Sequence, residues 1–320
     1  MSGSSASCAL GIDIGGTNTK LALVSKDGEI LSIKSMPTEA EKAPEDLLMR
    51  MYAEVEGLTT EAGNLTLQVE GIGISIAGFI DPERTHLAFN PNLPNLEGYP
   101  ITEAFSKRFN LPVVLEVDSN CATLGEQRFG SGKASKRFMC LAIGTGLGGG
   151  MTISGELVRF TYECMGDMGH VIVEPGGASC SVGCKGCAEA LVSAPGIVSR
   201  ANQALASFPT SSLITIQQAK GELGARDIIE AARNGDPLAV RLLDETGYWL
   251  GLALSSLSAL FLPDCIALAG GISEAGDLLL KPTEASFRSN AGVFYQENVT
   301  IKKASLGWQA TVLGAACPFL

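Results

Sequence analysis

Short apolar runs recur along this chain and alternate with longer segments in which apolar residues follow a helical period. The short runs predict β-strands and the longer segments predict α-helices. The predicted strands span 8–14, 20–25, 69–76, 113–117, 138–143, 149–153 and 265–269. The predicted helices span 44–61, 101–109, 119–129, 187–205, 225–233, 236–260 and 309–316. This mixture predicts an α/β fold.

Two glycine-rich segments each connect a pair of predicted strands. The first is Gly11-Ile-Asp-Ile-Gly-Gly-Thr17, and the second is Ile143-Gly-Thr-Gly-Leu-Gly-Gly-Gly150. Because an apolar run precedes and follows each segment, both are predicted to be hairpin turns. Glycine lets backbone amides approach an anion closely, and Thr17 and Thr145 each add a hydroxyl donor. The two turns are therefore predicted to bind phosphate groups.

Two segments resemble nucleotide-binding motifs without meeting all of the requirements of those motifs. Residues 144–149 satisfy the dinucleotide pattern G-x-G-x-x-G, but that pattern must open a helix, and residues 151–154 read as a strand. Residues 129–134 imitate a P-loop, yet Gln127 occupies the first glycine position and Ala134 the Ser/Thr position. Both alternatives are rejected on these grounds.

Asp118 lies between a predicted strand and a predicted helix. In that position an aspartate is often a helix N-cap, since its carboxylate accepts backbone N–H bonds. A carboxylate at the end of a strand also suits a general base that takes a proton from a hydroxyl group. The residue alone does not decide between these two roles.

One histidine and three cysteines lie close together in a glycine-rich loop. They are His170, Cys180, Cys184 and Cys187. Four such soft ligands suit one closed, tetrahedral zinc site. Their C-x₃-C-x₂-C spacing also resembles the iron–sulfur motif of radical S-adenosylmethionine enzymes, but that reading requires a β/α barrel and leaves the two hairpins unexplained.

Length, charge and composition narrow the class of protein. A chain of 320 residues exceeds the usual single-core size, so two lobes are expected. The net charge of -11 argues against a nucleic-acid surface, which requires clustered Lys and Arg. No apolar run is long enough to span a membrane, and residues 1–7 lack the features of a secretory signal. We therefore expect a cytoplasmic protein whose nine cysteines are reduced or bind metal.

The motifs together resemble a known family. The hairpin pair, with Asp13 inside the first, resembles the phosphate motifs of the sugar kinase, Hsp70 and actin superfamily. Further segments resemble the ROK family (repressors, open reading frames and kinases) in order and spacing, and they are residues 117–126, 166–170, 180–189 and 269–273. The resemblance covers Leu10 to about Ala316. It implies a two-lobed actin-like ATPase (ribonuclease H-like) fold with a cleft between the lobes. The implied small lobe is 1–117 and 303–320, and the large lobe is 118–302.

The resemblance also implies an activity and its residues. The expected reaction is ATP-dependent phosphorylation of a primary hydroxyl of a hexose or N-acetylhexosamine, with Asp118 as base and Asp13 holding Mg²⁺ through water. The implied nucleotide and phosphate contacts are Asp13, Gly15, Gly16, Thr17, Gly144, Thr145, Gly146, Gly270 and Gly271. The implied sugar contacts are Gly78, Asn92, Asp118, Asp167, His170 and Glu189, although Asn92 also lies in good turn chemistry. The zinc would be structural, and a homodimer is implied.

The chain departs from the family pattern around the substrate. Val182 stands at the second cysteine of C-x-C-G-x-x-G-C-x-E, and Cys184 follows two positions later. Asp167 replaces the glutamate of G-E-x-G-H, and Val117 replaces the asparagine before the catalytic aspartate. The loop 159–165 also has Phe160 and Glu163 where relatives have glycine.

These departures leave two functions open. The first is a sugar kinase with an altered substrate shell. The second is a non-catalytic sugar-binding or sugar-sensing protein of the same family. A repressor is less expected, because ROK repressors carry a DNA-binding domain before the first hairpin and only ten residues precede Gly11 here.

Overall fold

The computed structural model describes residues 7–90, 92–160 and 167–320. The chain divides into two units. Unit 1 comprises Met1–Ala134, Gly150–Gly166 and Ser305–Leu320, and unit 2 comprises Ser135–Gly149 and Asp167–Ala304. No helix in the described part of the chain is long and apolar enough to cross a membrane.

Two five-stranded sheets and one short hairpin contain the described strands. The first seven strands are β1 (Ser7–Ile14), β2 (Asn18–Ser25), β3 (Ile30–Pro37), β4 (Gln68–Ile76), β5 (Phe79–Ile80), β6 (Leu87–Phe89) and β7 (Val113–Val117). The remaining strands are β8 (Arg137–Ile143), β9 (Leu147–Ile153), β10 (Glu156–Leu157), β11 (Cys265–Ala269) and β12 (Thr300–Lys303). The sheet orders are β3-β2-β1-β4-β7 and β10-β9-β8-β11-β12, and β5 pairs with β6. In the first sheet β1 and β2 are antiparallel, whereas β1, β4 and β7 are parallel.

Eleven α-helices occur in the described ranges. They are α1 (Pro44–Asn64), α2 (Ile101–Phe109), α3 (Asp118–Phe129), α4 (Ala188–Val192), α5 (Ala194–Ala204), α6 (Ser212–Lys220), α7 (Ala225–Arg233), α8 (Pro237–Phe261), α9 (Asp277–Asn290), α10 (Val293–Asn298) and α11 (Gln309–Ala316). In unit 1, apolar residues of α1 and α2 join those of β1, β4 and β7 in one buried cluster that includes Ile12, Ile74 and Leu115.

The opposite face of the first sheet carries small and polar residues. Asp13 of β1, Ser75 of β4 and Glu116 of β7 stand in one row, because the parallel register pairs Asp13 with Ser75 and Ser75 with Glu116. Since side chains alternate along a strand, Gly11 and Gly73 lie on this same face. The sheet therefore separates an apolar face from a face that presents three polar side chains.

Helix α11 packs on that face at backbone contact distance. A Cβ added at Gly11 would lie 2.0 Å from the Val312 carbonyl oxygen, and one at Gly73 would lie 1.7 Å from the Ala315 carbonyl oxygen. On the other side of α11, a Cβ at Gly314 would lie 1.7 Å from the carbonyl oxygen of Cys121 in α3. Glycine at these positions is what lets α11 lie between the sheet and α3.

Most of the predicted elements are confirmed, with shifts of a few residues at their ends. The predicted helix 187–205 is wrong in one respect, because Ser193 is extended (φ -69°, ψ 167°) and separates α4 from α5. The Ser193 side chain accepts the Gly196 amide, and Pro195 lies in the first turn, which is the usual start of a new helix. Helix α9 was not predicted, since it contains Pro282 in its interior.

The division into units differs from the expected boundary at Val117. Residues 118–134 belong to unit 1, because α3 is joined to α11 by close backbone packing at Gly125 as well as at Gly314. Glu126 adds polar contacts, since its carboxylate accepts the Leu306 amide (2.6 Å) and the Ser131 amide (2.8 Å). The helix that begins at Asp118 is therefore part of the same packing unit as the strand before it.

We predict that Gly73→Ala lowers the thermal midpoint of unfolding and costs at least about 2 kcal/mol, because a methyl group would collide with the α11 backbone. The matched control is Gly57→Ala in α1, where a Cβ meets nothing within 4 Å. That change is expected to be neutral or to stabilise by about 0.5–1 kcal/mol, since alanine favours helix. Thermal melts of the two variants compare them directly, and a Gly73→Ala protein as stable as the wild type would contradict this packing.

Candidate functional site

The first glycine-rich segment is a hairpin turn between β1 and β2, as predicted. The Gly15 amide donates to the Asn18 carbonyl oxygen (3.2 Å) and closes the turn. Thr38 holds it from the side, because its amide donates to the Thr17 carbonyl oxygen (2.9 Å) and its hydroxyl to the Gly15 carbonyl oxygen (2.6 Å). Gly16 and Thr17 are exposed. The turn thus presents a fixed backbone and one hydroxyl to solvent, which suits an anion.

Asp13 lies in β1, two residues before Gly15 of this hairpin, and each of its carboxylate oxygens accepts a hydrogen bond. The Ser75 hydroxyl donates to one oxygen (3.0 Å) and the Thr311 hydroxyl to the other (2.9 Å). Burial raises the pKa of Asp13, while these two hydrogen bonds and the charge of Lys20 act against that rise. The carboxylate is therefore held in one orientation, and its remaining lone pairs could contact a hydrated divalent cation.

Asp118 is the first residue of α3 and directly follows β7. Val117 occupies the N-cap position without a side-chain hydrogen bond, so Asp118 is not the N-cap. Its carboxylate accepts the Ser119 amide (2.7 Å). Burial raises the pKa of Asp118 to about 6, the Ser119 hydrogen bond lowers it, and the negative charge of Asp13 raises it further. A half-buried carboxyl group with a pKa near neutrality is poised to exchange a proton at physiological pH.

Glu116 and its partners are functional candidates that were missed from the sequence. Its side chain is 4% exposed, and both Arg84 (2.9 Å) and Arg159 bind its Oε2. The available signal was one acidic residue inside the apolar run 113–117. Its two arginines come from segments far away in the chain, as does Thr311 beside Asp13. No nearby sequence pattern indicates that Arg84, Arg159 and Thr311 contact these acidic side chains.

The other residues predicted in unit 1 are placed as follows. Gly78 has φ 108°, and a Cβ there would lie 2.5 Å from the Phe89 carbonyl oxygen, so only glycine fits. Asn92 is exposed, and its Cβ lies 3.5 Å from the position of a Cβ built on Gly16. The turn predicted here depends on Asn90, whose carboxamide accepts the Asn92 amide (2.8 Å) and donates to the Ala77 carbonyl oxygen (2.8 Å).

Val117 is a buried member of the apolar cluster of unit 1, with 6% of its surface exposed. Packing thus accounts for a valine at this position. Of the other departures from the pattern, Glu163 lies outside the described residues and Phe160 is exposed.

In unit 2, the second glycine-rich segment forms the turn between β8 and β9, again as predicted. The Gly144 amide donates to the Gly146 carbonyl oxygen (2.9 Å), and the Ala194 amide donates to the Gly144 carbonyl oxygen (2.8 Å). Thr145 at the tip is exposed. This turn resembles the first one in having a braced backbone and one exposed hydroxyl.

Glu189 contacts the second hairpin. Its Oε2 accepts the Leu147 amide (3.1 Å), and its Oε1 accepts the Ser181 hydroxyl (3.2 Å). A Cβ on Gly146 would lie 2.7 Å from Oε2. The carboxylate therefore connects the hairpin to the cysteine-containing loop, a contact that the sequence did not indicate.

The histidine and cysteine cluster is partly assembled. One ligand atom each from His170, Cys180 and Cys187 lies within 4.8 Å of the other two, and the Cys180 Sγ is 3.7 Å from the His170 Nδ1. Cys184 is not in that group of three, although its thiol is hydrogen-bonded to Cys180. Asp167 is exposed, and its carboxylate lies 3.7 Å from the His170 Nε2.

Hydrogen bonds within the cluster lower the pKa of one of its thiols. Burial acts to raise the pKa of Cys180, but hydrogen bonds from the Val182 amide and from the Cys187 and Cys184 thiols outweigh it and lower that pKa. Burial raises the pKa of Cys187 to about 11. A thiol of lowered pKa, together with two further thiols and an imidazole, is a donor set that fits Zn²⁺.

Gly270 and Gly271 follow β11, and Gly271 borders a cavity of about 410 Å³ in unit 2. Gly270 has φ 84°, and a Cβ there would lie 2.5 Å from the Ile143 carbonyl oxygen, which explains the glycine. The cavity is also lined by Gly144 of the second hairpin, and by Arg226 and Ile229 of α7. Arg233 and Glu274 also line it, so the walls combine apolar, cationic and acidic groups, and a space of this size suits a small ligand.

Comparison with known proteins agrees with these features. The ROK family pattern matches residues 9–319 of the chain. The protein belongs to the ROK family. The resemblance inferred from the motifs is thereby confirmed.

Individual relatives of this ROK protein include kinases and a regulator. A glucokinase of Streptomyces coelicolor is 33% identical over 311 residues, which are 96% of each protein. The crystal structure of a ROK family glucokinase from Streptomyces griseus in complex with glucose and AMPPNP has a TM-score of 0.80 at 34% identity, covering 98% of this chain and 99% of that one. The xylose repressor of Bacillus subtilis is 25% identical over 96% of this chain and 75% of its own length.

These comparisons confirm the expected fold class. The ROK protein has the mixed α/β, two-lobed actin-like ATPase fold of its structural neighbours. Its family contains both glucokinases and repressors, so family membership alone does not assign a role to Asp118.

Proposed function

We propose that this ROK protein is an ATP-dependent sugar kinase that phosphorylates a primary hydroxyl of a hexose or N-acetylhexosamine. The observation that carries the proposal is Asp118, a half-buried carboxyl group with a pKa near 6 at the end of β7. Phosphoryl transfer to an alcohol requires a group that accepts the hydroxyl proton while the new bond forms. Asp118 is the acidic side chain of the predicted site whose raised pKa suits it to accept and release that proton.

In the proposed reaction the sugar hydroxyl oxygen bonds to the γ-phosphorus of ATP, and the bond between that phosphorus and the bridging oxygen breaks, releasing ADP. The hydroxyl proton goes to Asp118. Asp13 contributes charge and is oriented by Ser75 and Thr311. Mg²⁺ would supply neutralisation of the phosphate charge when it is bound near Asp13 through water.

Nucleotide contacts are proposed for each unit by itself. The exposed turns at Gly15–Thr17 and Gly144–Gly146 offer backbone amides and the hydroxyls of Thr17 and Thr145 to phosphate oxygens. The cavity bordered by Gly271, which follows Gly270, would take the adenosine part. ATP is supported as a substrate by the relative bound to AMPPNP.

The second candidate function is a non-catalytic sugar sensor. It is favoured by the xylose repressor relative, which aligns along 96% of this chain. The kinase is preferred, because the glucokinase relative is 33% identical along 96% of its own length, whereas the repressor is 25% identical and the match covers 75% of its length. The two functions differ in whether ADP is formed in the presence of sugar.

We predict that Asp118→Asn lowers kcat by about 10² or more, since general-base catalysis contributes on that scale. The wild-type kcat should be low below pH 6 and rise to a plateau above it, because only the deprotonated carboxylate accepts a proton and its pKa is about 6. The control is Asp27→Asn, which removes an exposed carboxylate in the turn after β2. Normal turnover by Asp118→Asn with the best sugar would disprove the assignment.

We also propose one structural zinc ion per chain, bound by His170, Cys180, Cys184 and Cys187. The three ligand atoms already within 4.8 Å of one another support the site. Cys184 would be the fourth ligand, because it is hydrogen-bonded to Cys180 and compensates for Val182 at the family's second cysteine position. The ion would connect the loop to His170 and so support Glu189 beneath the second hairpin.

Metal analysis of protein purified without chelator should give one zinc per chain. Cys187→Ala should lose that zinc and lower the thermal midpoint, because structural zinc contributes directly to folding. The matched control is Cys140→Ala, a buried cysteine of the apolar cluster at β8 and β11, which should keep its zinc. Absence of zinc from the wild type, or unchanged zinc affinity in Cys184→Ala, would contradict the proposed ligand set.

Specificity is proposed to depend on Asp167. The side chain of Asp167 is shorter by one methylene group than the family's glutamate, and its carboxylate lies beside His170. The Asp167 carboxylate would then reach only through water a sugar hydroxyl group that the family's glutamate contacts directly. Glucose should therefore be a weak substrate, and a deoxygenated or differently configured sugar a better one.

The variant Asp167→Glu should raise kcat/KM for glucose about 3- to 10-fold, which is the scale of one recovered hydrogen bond. It should leave kcat/KM for the preferred sugar unchanged or lower. Steady-state kinetics with glucose, mannose, N-acetyl and deoxy sugars measure both values. Efficient glucose turnover by the wild type, with no gain from Asp167→Glu, would show that Asp167 does not set the preference.

A further inference from the structure

Glu116 is a buried carboxylate directly beside the proposed base. It lies on β7 two residues before Asp118, and its side chain is only 4% exposed. A buried charge is costly unless it is paired and hydrogen-bonded. Two guanidinium groups meet at its Oε2, one from Arg84 (2.9 Å) and one from Arg159. Replacing a buried ion pair by apolar residues of similar volume is often neutral or stabilising, so stability alone does not explain this arrangement.

Arg84 reaches Glu116 from a strained backbone conformation. Its φ is 60°, in the left-handed region that a residue with a Cβ seldom adopts. Asp81 stabilises this turn, because its carboxylate accepts the amides of Thr85 (2.6 Å) and His86 (2.7 Å). The Arg84 Nε also donates to the Leu115 carbonyl oxygen (3.0 Å). Such strain persists where the surrounding contacts determine it and tends to occur at functional sites.

The second oxygen of Glu116 holds the chain on both sides of Asp118. Oε1 accepts the backbone amide of Val117 (3.0 Å) and the side-chain amide of Asn120 (2.8 Å). Val117 immediately precedes Asp118, and Asn120 follows it within the first turn of α3. The carboxylate therefore joins the end of β7 to the start of α3 at the residue between them.

We propose that Glu116, neutralised by Arg84 and Arg159, is a positioning residue that fixes the backbone of Asp118 and sets the electrostatic environment of its carboxylate. The inference rests on the proposed kinase function for its catalytic meaning, whereas the geometry it uses lies wholly within unit 1.

The charges around Asp118 predict the sign of each change. The charge of Asp13 acts directly on Asp118, and Asp13, Asp118 and Glu116 all act on the thiol of Cys121 in α3, with the two arginines bound to Glu116. Removing the negative charge of Glu116 should favour the charged form of Asp118 and lower its pKa. Removing the positive charge of Arg84 should have the opposite effect. A role in folding alone would not produce shifts of opposite sign.

The test compares the pH dependence of kcat for Glu116→Gln and Arg84→Met. We expect the midpoint to move to lower pH in Glu116→Gln and to higher pH in Arg84→Met, each by about 0.5 pH unit. At the optimum, kcat should fall about 10-fold while the sugar KM changes less than about 3-fold, because positioning acts on the transition state more than on binding. Arg84→Lys keeps the charge and should restore the wild-type midpoint.

The control is Arg128→Met. Arg128 lines the same cavity of about 500 Å³ as Arg84, Arg159 and Glu116, but its guanidinium donates to the carbonyl oxygens of Cys317 (3.0 Å) and Leu320 (2.8 Å). Loss of this charge should leave the midpoint in place. Midpoints that stay fixed in both Glu116→Gln and Arg84→Met, or that move in the same direction, would overturn the inference.

The same shifts can be measured without turnover. The carboxyl ¹³C resonance of Asp118, identified by its loss in Asp118→Asn, should titrate at lower pH in Glu116→Gln and at higher pH in Arg84→Met. An inactive wild type with these shifts would contradict the kinase and support the electrostatic role of Glu116. An active wild type without them would contradict the role of Glu116 alone. If Glu116→Gln does not fold, the titration midpoints of Arg84→Met and Arg84→Lys are compared instead. A higher midpoint in Arg84→Met alone supports the inference, and equal midpoints contradict it.

Discussion

Three carboxylates lie at the carboxyl ends of two parallel strands of the first sheet, Asp13 in β1, Glu116 in β7 and Asp118 directly after β7. The hydrogen bonds and charges around each carboxylate determine what it can do. Glu116 is paired with two arginines and receives two further hydrogen bonds. Asp13 is oriented by two hydroxyl groups. Burial and the negative charge of Asp13 raise the pKa of Asp118 to about 6, against the opposing effect of the hydrogen bond from the Ser119 amide. The least compensated carboxylate is the one proposed to move a proton.

Packing of α11 makes this arrangement possible. Gly11 and Gly73 let the helix approach the sheet at backbone distance, and Gly314 lets it approach α3. That approach brings the Thr311 hydroxyl to Asp13. It also keeps α3 in the same unit as β7, so the strand end and the helix start that flank Asp118 are held together. The glycines thus link the fold of unit 1 to the chemistry of its acidic residues.

Local features of the site could be predicted from the sequence, whereas its long-range partners could not. Glycine-rich turns between apolar runs identify both hairpins, and Asp118 is recognisable at a strand-to-helix junction. Ser75, Thr311, Arg84 and Arg159 become partners only through sheet register and helix packing, which no nearby residue reveals. Helix α9 was not predicted, because Pro282 lies inside it. The ring of Pro282 packs against Gly247 of α8. The hypothesis that Val117 shapes the substrate pocket stays a prediction, and the structure places its side chain in the apolar cluster of unit 1.

The family contains glucokinases and repressors on the same fold, so the central claim concerns catalysis by this chain. The most direct measurement is a coupled assay of ADP release by the wild type with ATP, Mg²⁺ and a panel of hexoses and N-acetylhexosamines. The account predicts ADP release in equal amounts with a sugar phosphate for at least one sugar, with kcat above about 1 s⁻¹. A protein that binds a sugar by calorimetry and forms no ADP with any member of the panel would contradict it.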